Sequence, residues 1–413
     1  MSSLTQADIE RIRRDFPILE KTQNGHPLIY LDSAATVQKP RQVIEAMSHF
    51  YAREYGTVHR AIYGLSIAAT ERYCGVREKV RRFLNAQSAD EIVFTKGTTE
   101  GINLVADCFG KAFLRHGDEV LICETEHHAN IVPWQKACAE HGALLKIIPV
   151  NDKAEIDLKA YGELLSSKTK LVAVAHIANA TGSLHPIETI IRMAHSEHAK
   201  VLIDGAQSAA RLPIDVQKLD ADFFLFSGHK VYGPTGVGIL YGKRELLEAM
   251  PPYQCGGDMI EQVTLAATTY REPPLKFEAG TPMIAEVIGL GEALDYIEKI
   301  GREKISAWED QLLAYATQKL LEIPELRIIG TAKDKGPIIS FMIEGAHPLD
   351  IGTLLDLKGI CVRTGHMCAQ PTMHRFHVKA ATRISFAIYN TISEIDQFIL
   401  TLKEVLCSLR PSA

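Results

Sequence analysis

Residues 223–230 read Phe223-Phe224-Leu225-Phe226-Ser227-Gly228-His229-Lys230. An uninterrupted apolar run of this length, followed at once by polar residues, is typical of a strand that is buried on both faces of a sheet. Comparable runs, separated by longer amphipathic stretches, occur at 92–94, 119–123, 144–150, 171–177, 201–203 and 237–241. This alternation predicts an α/β domain with a large, mostly parallel sheet that is covered by helices on both faces.

A different pattern begins beyond this region. Proline and glycine pairs between 251 and 274 predict an irregular segment, and a helical pattern then runs over 284–300 and ends at Gly301. Strand candidates at 338–343, 360–362 and 383–386 and a helix near 395–409 predict a smaller α+β domain. We therefore expect an N-terminal segment (1–30) that packs with the small domain, a large domain (31–283), and a linking helix with the small domain (284–413).

The composition excludes several classes of protein. The 413 residues are 46% hydrophobic and 23% charged with a formal net charge of −5, which argues against disorder and gives no reason to expect a nucleic-acid or membrane partner. No apolar run approaches the roughly 20 residues of a membrane span, and the N-terminus lacks the apolar region of a signal peptide. None of the eight cysteines forms a C-x-x-C pair. We expect a cytoplasmic protein with reduced thiols.

Three polar segments follow predicted strands. Lys230 ends one of them, where open α/β sheets bind ligands, and a lysine there can form a Schiff base with an aldehyde cofactor. Asp204, after the run at 201–203, could keep a pyridine nitrogen protonated, and Gln207 could hydrogen-bond a ring hydroxyl. Taken singly, a solvated surface lysine and an aspartate that caps a helix remain the common alternatives.

The third segment, 95–101, lies between a predicted strand and a predicted helix. Its threonine hydroxyls and free backbone N–H groups suit a phosphate, although Thr98 with Glu100 is also a plausible helix cap. Together the three segments predict a binding site for pyridoxal 5′-phosphate. They offer an amine for its aldehyde, a carboxylate for its ring nitrogen and a helix start for its phosphate.

At this point the sequence resembles the SufS-type (group II) cysteine desulfurases, which are class-V aminotransferase-like enzymes of fold type I. The resemblance extends from Tyr30 to Asn390. Its most specific strings are Glu126-His127-His128-Ala129-Asn130-Ile131-Val132-Pro133-Trp134, Ser227-Gly228-His229-Lys230, Phe277-Glu278-Ala279-Gly280-Thr281-Pro282 and Arg363-Thr364-Gly365-His366-Met367-Cys368-Ala369.

The resemblance implies how the cofactor is held. Lys230 carries it through its aldehyde, Asp204 pairs with the pyridine nitrogen, and Gln207 binds the ring oxygen. His127 stacks on the ring and assists proton transfer. Residues that bind or border the phosphate are Thr98, Thr99, Ser227 and His229. The adjacent His127-His128 pair suggests a metal as an alternative, but adjacent residues rarely converge on one ion, so we expect no metal.

The resemblance also implies a substrate site. Arg383 holds the substrate α-carboxylate in two parallel hydrogen bonds, with Asn179 as a second contact; a surface ion pair and a turn residue are the respective alternatives. Four further residues match family positions near the substrate, namely His59, Arg60, Ala34 and Ala35. Thr281 reaches the phosphate of the other subunit, which implies an obligate homodimer with active sites at the interface.

The resemblance implies that Cys368 is the nucleophile. Cys368 is expected in a polar loop, and a reactive thiol should be accessible and near positive groups, for which Arg363 and His366 are candidates. It takes the sulfur of L-cysteine as a persulfide and L-alanine is released; a SufE-type or SufU-type acceptor then receives the sulfur for Fe–S cluster assembly. Cys361, seven positions earlier, is expected in a core strand. The alternatives are a selenocysteine lyase, a cysteine-sulfinate desulfinase, and a sulfur-relay scaffold with little turnover of its own.

Overall fold

The computed structural model describes residues 4–409. Its strands are β1 (Thr22–Gln23), β2 (His26–Pro27), β3 (Ile29–Tyr30), β4 (Ile92–Thr95), β5 (Glu119–Cys123), β6 (Leu144–Ile148), β7 (Thr169–Ala175), β8 (Lys200–Asp204), β9 (Phe223–Ser227), β10 (Gly238–Gly242), β11 (Ile260–Val263), β12 (Thr268–Tyr270), β13 (Leu326–Ile329), β14 (Ile338–Ile343), β15 (Ile360–Cys361), β16 (Arg363–Gly365) and β17 (Ala381–Ser385). Its α-helices are α1 (Gln6–Arg13), α2 (Arg41–His49), α3 (Gly64–Leu84), α4 (Thr98–Phe113), α5 (Val132–His141), α6 (Leu158–Leu164), α7 (Ile187–Ser196), α8 (Val216–Leu219), α9 (Arg244–Ala249), α10 (Ile284–Ile300), α11 (Arg302–Leu321), α12 (Pro348–Asp356), α13 (Gln370–Arg375) and α14 (Ile392–Leu409).

The large sheet has seven strands in the order β4-β10-β9-β8-β7-β5-β6. The five strands from β9 to β6 are mutually parallel, and β10 runs antiparallel to both β4 and β9. Every residue of β5, β9 and β10 is buried, which is why these strands read as unbroken apolar runs. The predicted α/β class is confirmed.

The second sheet is smaller and antiparallel, with the order β13-β14-β17-β16. The strand that contains Cys361, β15, does not join it but pairs in parallel with β3 near the N-terminus. Cys361 is therefore in a strand, as expected, but it is only partly buried rather than in the core. Further contacts tie the N-terminal residues to this part of the chain, since Arg13 lies 3.0 Å from Glu394.

The segment expected to be irregular contains a hairpin. Strands β11 and β12 pair with each other around an exposed turn, and Leu265 at this turn is fully exposed. A two-stranded hairpin that projects from the molecule needs no apolar face, so its polar sequence gave little indication of strands. Within residues 4–409 no helix combines the length and the hydrophobicity needed to cross a membrane.

Close approaches of glycine shape the edge of the large sheet at which its parallel strands end. A Cβ atom at Gly205, directly after β8, would lie 2.1 Å from the Phe224 ring. A Cβ atom at Gly238 would lie 2.5 Å from the Cα atom of Gly97, where the chain turns from β4 into α4. A larger residue at Gly205 or Gly238 would therefore clash and shift the segments that carry the polar residues of this edge.

Candidate active site

A cavity of about 310 Å³ lies at the carboxyl ends of β7, β8 and β9, and the start of α4 and the loop after β16 also contribute to its wall. It brings together most residues that the sequence predicted for the site. Those that line it are Ala34, Ala35, Thr98, Thr99, His127, Asn179, Asp204, Gln207, Ser227, His229, Lys230, Cys368 and Arg383.

Lys230 and Asp204 have opposed electrostatic environments in this cavity. Burial lowers the pKa of Lys230, while the nearby Asp204 carboxylate acts in the opposite direction. Burial raises the pKa of Asp204, against a hydrogen bond of 2.9 Å that its Oδ1 accepts from the N–H of Ala206. Asp204 thus makes a local backbone contact, as the capping alternative expected, and also lines the cavity. Lys230 is not a solvated surface lysine.

His127 lines the same cavity as a neutral ring. Burial, with a smaller contribution from Lys230, lowers the pKa of His127 to about 4. Its Nδ1 accepts a hydrogen bond of 3.0 Å from the N–H of Ala129, so the proton of the neutral ring is on Nε2. Among residues 4–409, no group of three or more His, Cys, Asp or Glu side chains is arranged to hold a metal ion.

The start of α4 forms the hydroxyl-rich corner of the cavity. Ser227 Oγ accepts a hydrogen bond of 2.9 Å from the N–H of Thr98 and lies 2.8 Å from Thr98 Oγ1. His229 lines the cavity nearby, and burial lowers its pKa to about 4. The N-terminus of this 16-residue helix has no side-chain cap from Gly97, and its backbone N–H groups together with these hydroxyls form a site suited to a phosphate.

Arg383 is a buried cation rather than a surface ion pair. Its Nη2 lies 3.0 Å from Asp32 Oδ1, its Nη1 donates to the carbonyl of Asn179 at 3.0 Å, and its Nε is buried without a partner. The Asp32 contact was not predicted, although Asp32 lies near the start of the resemblance at Tyr30. An arginine fixed on one side in this way keeps donor capacity for a carboxylate.

The loop that contains Cys368 joins β16 to α13 and is held to the large domain by three hydrogen bonds. Asn179 Nδ2 donates to Met367 O at 2.7 Å, the N–H of His128 donates to Cys368 O at 2.7 Å, and the N–H of Gln370 donates to His128 Nε2 at 3.0 Å. Cys368 is partly exposed. Neither anchoring role was predicted; the only sequence indication was the adjacency of His127 and His128.

Met367 and Cys368 both adopt left-handed backbone conformations, with φ of 55° and 53°. L-residues with side chains rarely adopt this conformation without support from surrounding contacts. The three anchoring hydrogen bonds supply such support. They hold the thiol-bearing residue at the wall of the cavity that Lys230 also lines.

Three predicted residues do not line this cavity. Thr281 lines a separate cavity of about 200 Å³ that also contains Tyr73 and Glu278. The ring of His59 lies 5.5 Å from that of Tyr73, and Arg60 forms an ion pair with Asp258. These residues share one region of the surface, outside the group around Lys230.

The residues around the first cavity fit pyridoxal 5′-phosphate. A half-buried amine, a buried carboxylate, a neutral imidazole and a hydroxyl-rich helix start are arranged around one space of about 310 Å³. These are the groups that bind its aldehyde, ring nitrogen, ring face and phosphate respectively. The unpartnered Nε of Arg383 leaves a donor for a carboxylate beside them.

Comparisons with known proteins agree with this fit. The Aminotransferase class-V family matches residues 29–398. The chain is 50% identical over 398 residues to a cysteine desulfurase of Synechococcus elongatus (96% of this chain, 64% of the relative). It is 48% identical over 398 residues to a cysteine desulfurase of Pectobacterium atrosepticum (96% of this chain, 98% of the relative). The crystal structure of the Escherichia coli cysteine desulfurase CsdA superposes with a TM-score of 0.91 at 39% identity, covering 97% of this chain and 99% of that chain.

The chain differs in length from some of these relatives. It spans 64%, 58% and 65% of three curated relatives to which it is 50% identical. It spans nearly all of the Pectobacterium and Escherichia proteins.

Proposed function

Since the chain belongs to the class-V aminotransferase family, and within it to the group II cysteine desulfurases, we propose that it removes sulfur from L-cysteine with pyridoxal 5′-phosphate as cofactor. The products are L-alanine and a persulfide on Cys368. The observation that carries the proposal is that the Cys368 loop and Lys230 border one cavity, although 138 positions separate them.

Different residues would bind different parts of the cofactor. When bound, pyridoxal 5′-phosphate supplies an electron sink next to the substrate amine. Lys230 would hold its aldehyde, Asp204 would hold a proton on the ring nitrogen, and Gln207 would face the ring oxygen. The side chains that would contact the phosphate or the ring face are Thr98, Thr99, Ser227, His229 and His127.

Lys230 and Arg383 act on the substrate. Arg383 binds the α-carboxylate, with Asn179, Ala34 and Ala35 beside it, and so fixes the position of Cα. Burial lowers the pKa of Lys230 and so favours the neutral form of its amine, which is the form that takes the Cα proton.

Sulfur transfer takes place at Cys368. Its thiolate attacks the substrate sulfur, so that an S–S bond forms while the bond between Cβ and sulfur breaks. Neutral His127, with its proton on Nε2, can donate a proton to the fragment that has lost sulfur and leaves as L-alanine. The partly exposed position of Cys368 then gives an acceptor access to the persulfide.

We also propose that the active unit is a homodimer. Seven large apolar side chains between residues 44 and 67 are exposed in the single chain, and exposed apolar residues concentrated in one segment are typical of an interaction surface. They are Ile44, Tyr51, Tyr55, Ile62, Tyr63, Leu65 and Ile67. Thr281, in its separate cavity, would then face the phosphate of the partner, with His59 and Arg60 near the entrance. Sedimentation of the enzyme as a monomer would contradict this.

The domain boundaries and the cellular role are further proposals. We propose that residues 4–30 pack with the small domain, which the pairing of β3 with β15 supports; residues 1–3 of the N-terminal segment and 410–413 of the small domain lie outside the described residues. We propose that the sulfur passes to a SufE-type or SufU-type acceptor for Fe–S cluster assembly in the cytoplasm. A large stimulation of turnover by one acceptor would identify the relay, and its absence would favour a stand-alone enzyme.

The test of the activity is alanine release from L-cysteine. We expect Cys368→Ala to bind the cofactor normally and to release no alanine, whereas the matched control Cys361→Ala, at a partly exposed thiol outside the cavity, keeps its activity. Full activity of Cys368→Ala would refute the role of this thiol. Release of selenium from L-selenocysteine by Cys368→Ala would instead favour the lyase alternative, because selenium leaves more readily.

A further inference from the structure

A second cavity, of about 760 Å³, lies on the other side of the segment that ends β7. Ala175 and Ile177 line the first cavity, and His176 between them lines the second. This alternation follows from extended backbone, in which neighbouring side chains point to opposite sides. The N–H of His176 donates to the carbonyl of Asp204 at 2.9 Å. The same backbone segment, residues 175–177, therefore forms part of the wall of both cavities.

Two buried histidines in this second cavity have a ring nitrogen without a hydrogen-bond partner. His185 is 2% exposed, and its Nδ1 lies 2.8 Å from the carbonyl oxygen of Ala175. A carbonyl can only accept, so Nδ1 carries the proton and the unpartnered Nε2 is an acceptor. His176, 9% exposed, has an unpartnered Nδ1.

Both rings are neutral near pH 7. Burial lowers the pKa of His185 to about 4 and that of His176 to about 3. The nearby cation that acts on His176 is Arg211, which is itself paired with Glu309 and Asp310. His185 therefore presents an uncharged acceptor at Nε2. His176 accepts at Nδ1 in the tautomer that carries its proton on Nε2, so a ligand that brings hydrogen-bond donors suits both rings.

The remainder of the wall has two kinds of residue. The apolar side chains include Ile156, Leu184, Ile187, Leu212, Ile214 and Leu219. The charged residues are four carboxylates and one ammonium, namely Glu155, Glu188, Asp215, Asp334 and Lys218. An apolar space with excess negative charge and buried acceptors is complementary to a cation with a hydrophobic body.

We propose that this second cavity binds a small organic cation in which N–H donors are attached to a flat apolar ring, of the arylamidine class. The donors face His185 and His176, the ring packs on the isoleucine and leucine side chains, and the positive charge faces the carboxylates. Within residues 4–409, no group of three or more His, Cys, Asp or Glu side chains is arranged to hold a metal ion, so the carboxylates and histidines of this cavity favour an organic cation.

The test is a calorimetric titration of the holoenzyme with benzamidine near neutral pH. An amidine is chosen because a primary amine would react with the aldehyde cofactor. We expect saturable binding of one benzamidine per chain, and an affinity for the neutral isostere benzamide that is lower by about ten-fold or more, since the charge and a donor are lost. L-Alanine should not displace benzamidine, and the cofactor absorbance should stay unchanged.

Two variants and a control test the location. His185→Phe should weaken binding by about ten-fold or more, because it removes an acceptor for a charged donor. Glu188→Gln, at an exposed position that tolerates change, should weaken binding by about two- to five-fold and leave alanine release intact. The control Glu163→Gln removes an exposed carboxylate that does not line the cavity and should have no effect.

Four results would overturn the proposal. The first three are the absence of saturable binding, equal affinity for benzamide, and binding that neither variant weakens. Displacement of benzamidine by L-alanine would also overturn it, since that would locate the ligand in the first cavity. Because Glu188→Gln leaves the buried residues unchanged, misfolding of His185→Phe would not obscure the result.

Discussion

Replacing Asn179 by alanine removes the hydrogen bond of 2.7 Å from its side chain to Met367 O. The substitution leaves this carbonyl, next to the nucleophile, without its donor. It leaves the backbone carbonyl of residue 179 in place, so the hydrogen bond from Arg383 persists. The perturbation therefore acts on the position of the Cys368 loop.

The structure sets the size of the effect. Two consecutive L-residues in the left-handed conformation, Met367 and Cys368, cost about 1–2 kcal/mol each. Three anchoring hydrogen bonds return about 1 kcal/mol each, so the anchored loop is only marginally favoured. Loss of one bond costs about 1–3 kcal/mol, and we expect the anchored population, and with it the rate of persulfide formation, to fall by about ten-fold.

The assay separates anchoring from a direct contact with substrate. Iodoacetamide is added without L-cysteine, and mass spectrometry follows the alkylation rate of the Cys368 peptide alone, because Cys74, Cys255 and Cys407 are also exposed. Release of the loop changes this rate in Asn179→Ala. A residue that only binds the substrate carboxylate would leave the alkylation rate unchanged and raise KM for L-cysteine.

The control is Gln217→Ala, which removes another side-chain amide that donates to a backbone carbonyl, at a surface far from Cys368 in sequence. It should match the wild type in both measurements. Unchanged alkylation and unchanged persulfide formation in Asn179→Ala would refute the anchoring argument.

Three further predictions concern other parts of the molecule. Lys230→Ala should abolish the absorbance near ~420 nm of a lysine Schiff base with the cofactor, and an unchanged spectrum would contradict the assignment of Lys230. Arg383→Lys should raise KM for L-cysteine by about ten-fold or more in steady-state kinetics, because an ammonium cannot form two parallel hydrogen bonds with a carboxylate; an unchanged KM would remove Arg383 from the substrate site. His185→Phe should change the pH dependence of stability: since burial lowers the folded-state pKa of His185 from 6.5 to about 4, the unfolded wild type takes up a proton that the folded chain does not, and stability is lost as the pH falls. In urea unfolding, the free energy of unfolding of the wild type minus that of the variant should fall by about 2 kcal/mol from about pH 7 to about pH 5. The same difference at both pH values would contradict the lowered pKa of His185.

The sequence predicted most accurately the elements whose residue pattern is local, such as a strand buried on both faces or a long helix. Strand β5 and helix α10 have the predicted bounds, because an unbroken apolar run or a long helical pattern requires only local information. The two-residue strands β1, β2 and β3 carry no period, and the pairing of β3 with β15 joins segments more than 300 positions apart. Such pairings depend on the assembled fold, so the local pattern could not reveal them.

The site also contains both kinds of feature, those that a local sequence pattern predicts and those that depend on the assembled fold. Asp204 and Lys230 could be predicted because each follows a buried strand, and neighbouring parallel strands end at one edge of a sheet. The role of Cys368 came from resemblance, since a cysteine in a polar loop has no distinguishing pattern. The hydrogen bonds from Asn179 and His128 to the Cys368 loop could not be predicted, because they join residues 188 and 240 positions apart.

The central claim is that the Cys368 thiol takes the sulfur of the substrate in the cavity that Lys230 lines. The most direct measurement is mass spectrometry of peptides from the holoenzyme after incubation with L-cysteine, without reductant. The account predicts a gain of one sulfur atom on the Cys368 peptide, in step with the release of L-alanine. Release of alanine with the added sulfur on another cysteine, or with none on Cys368, would contradict it.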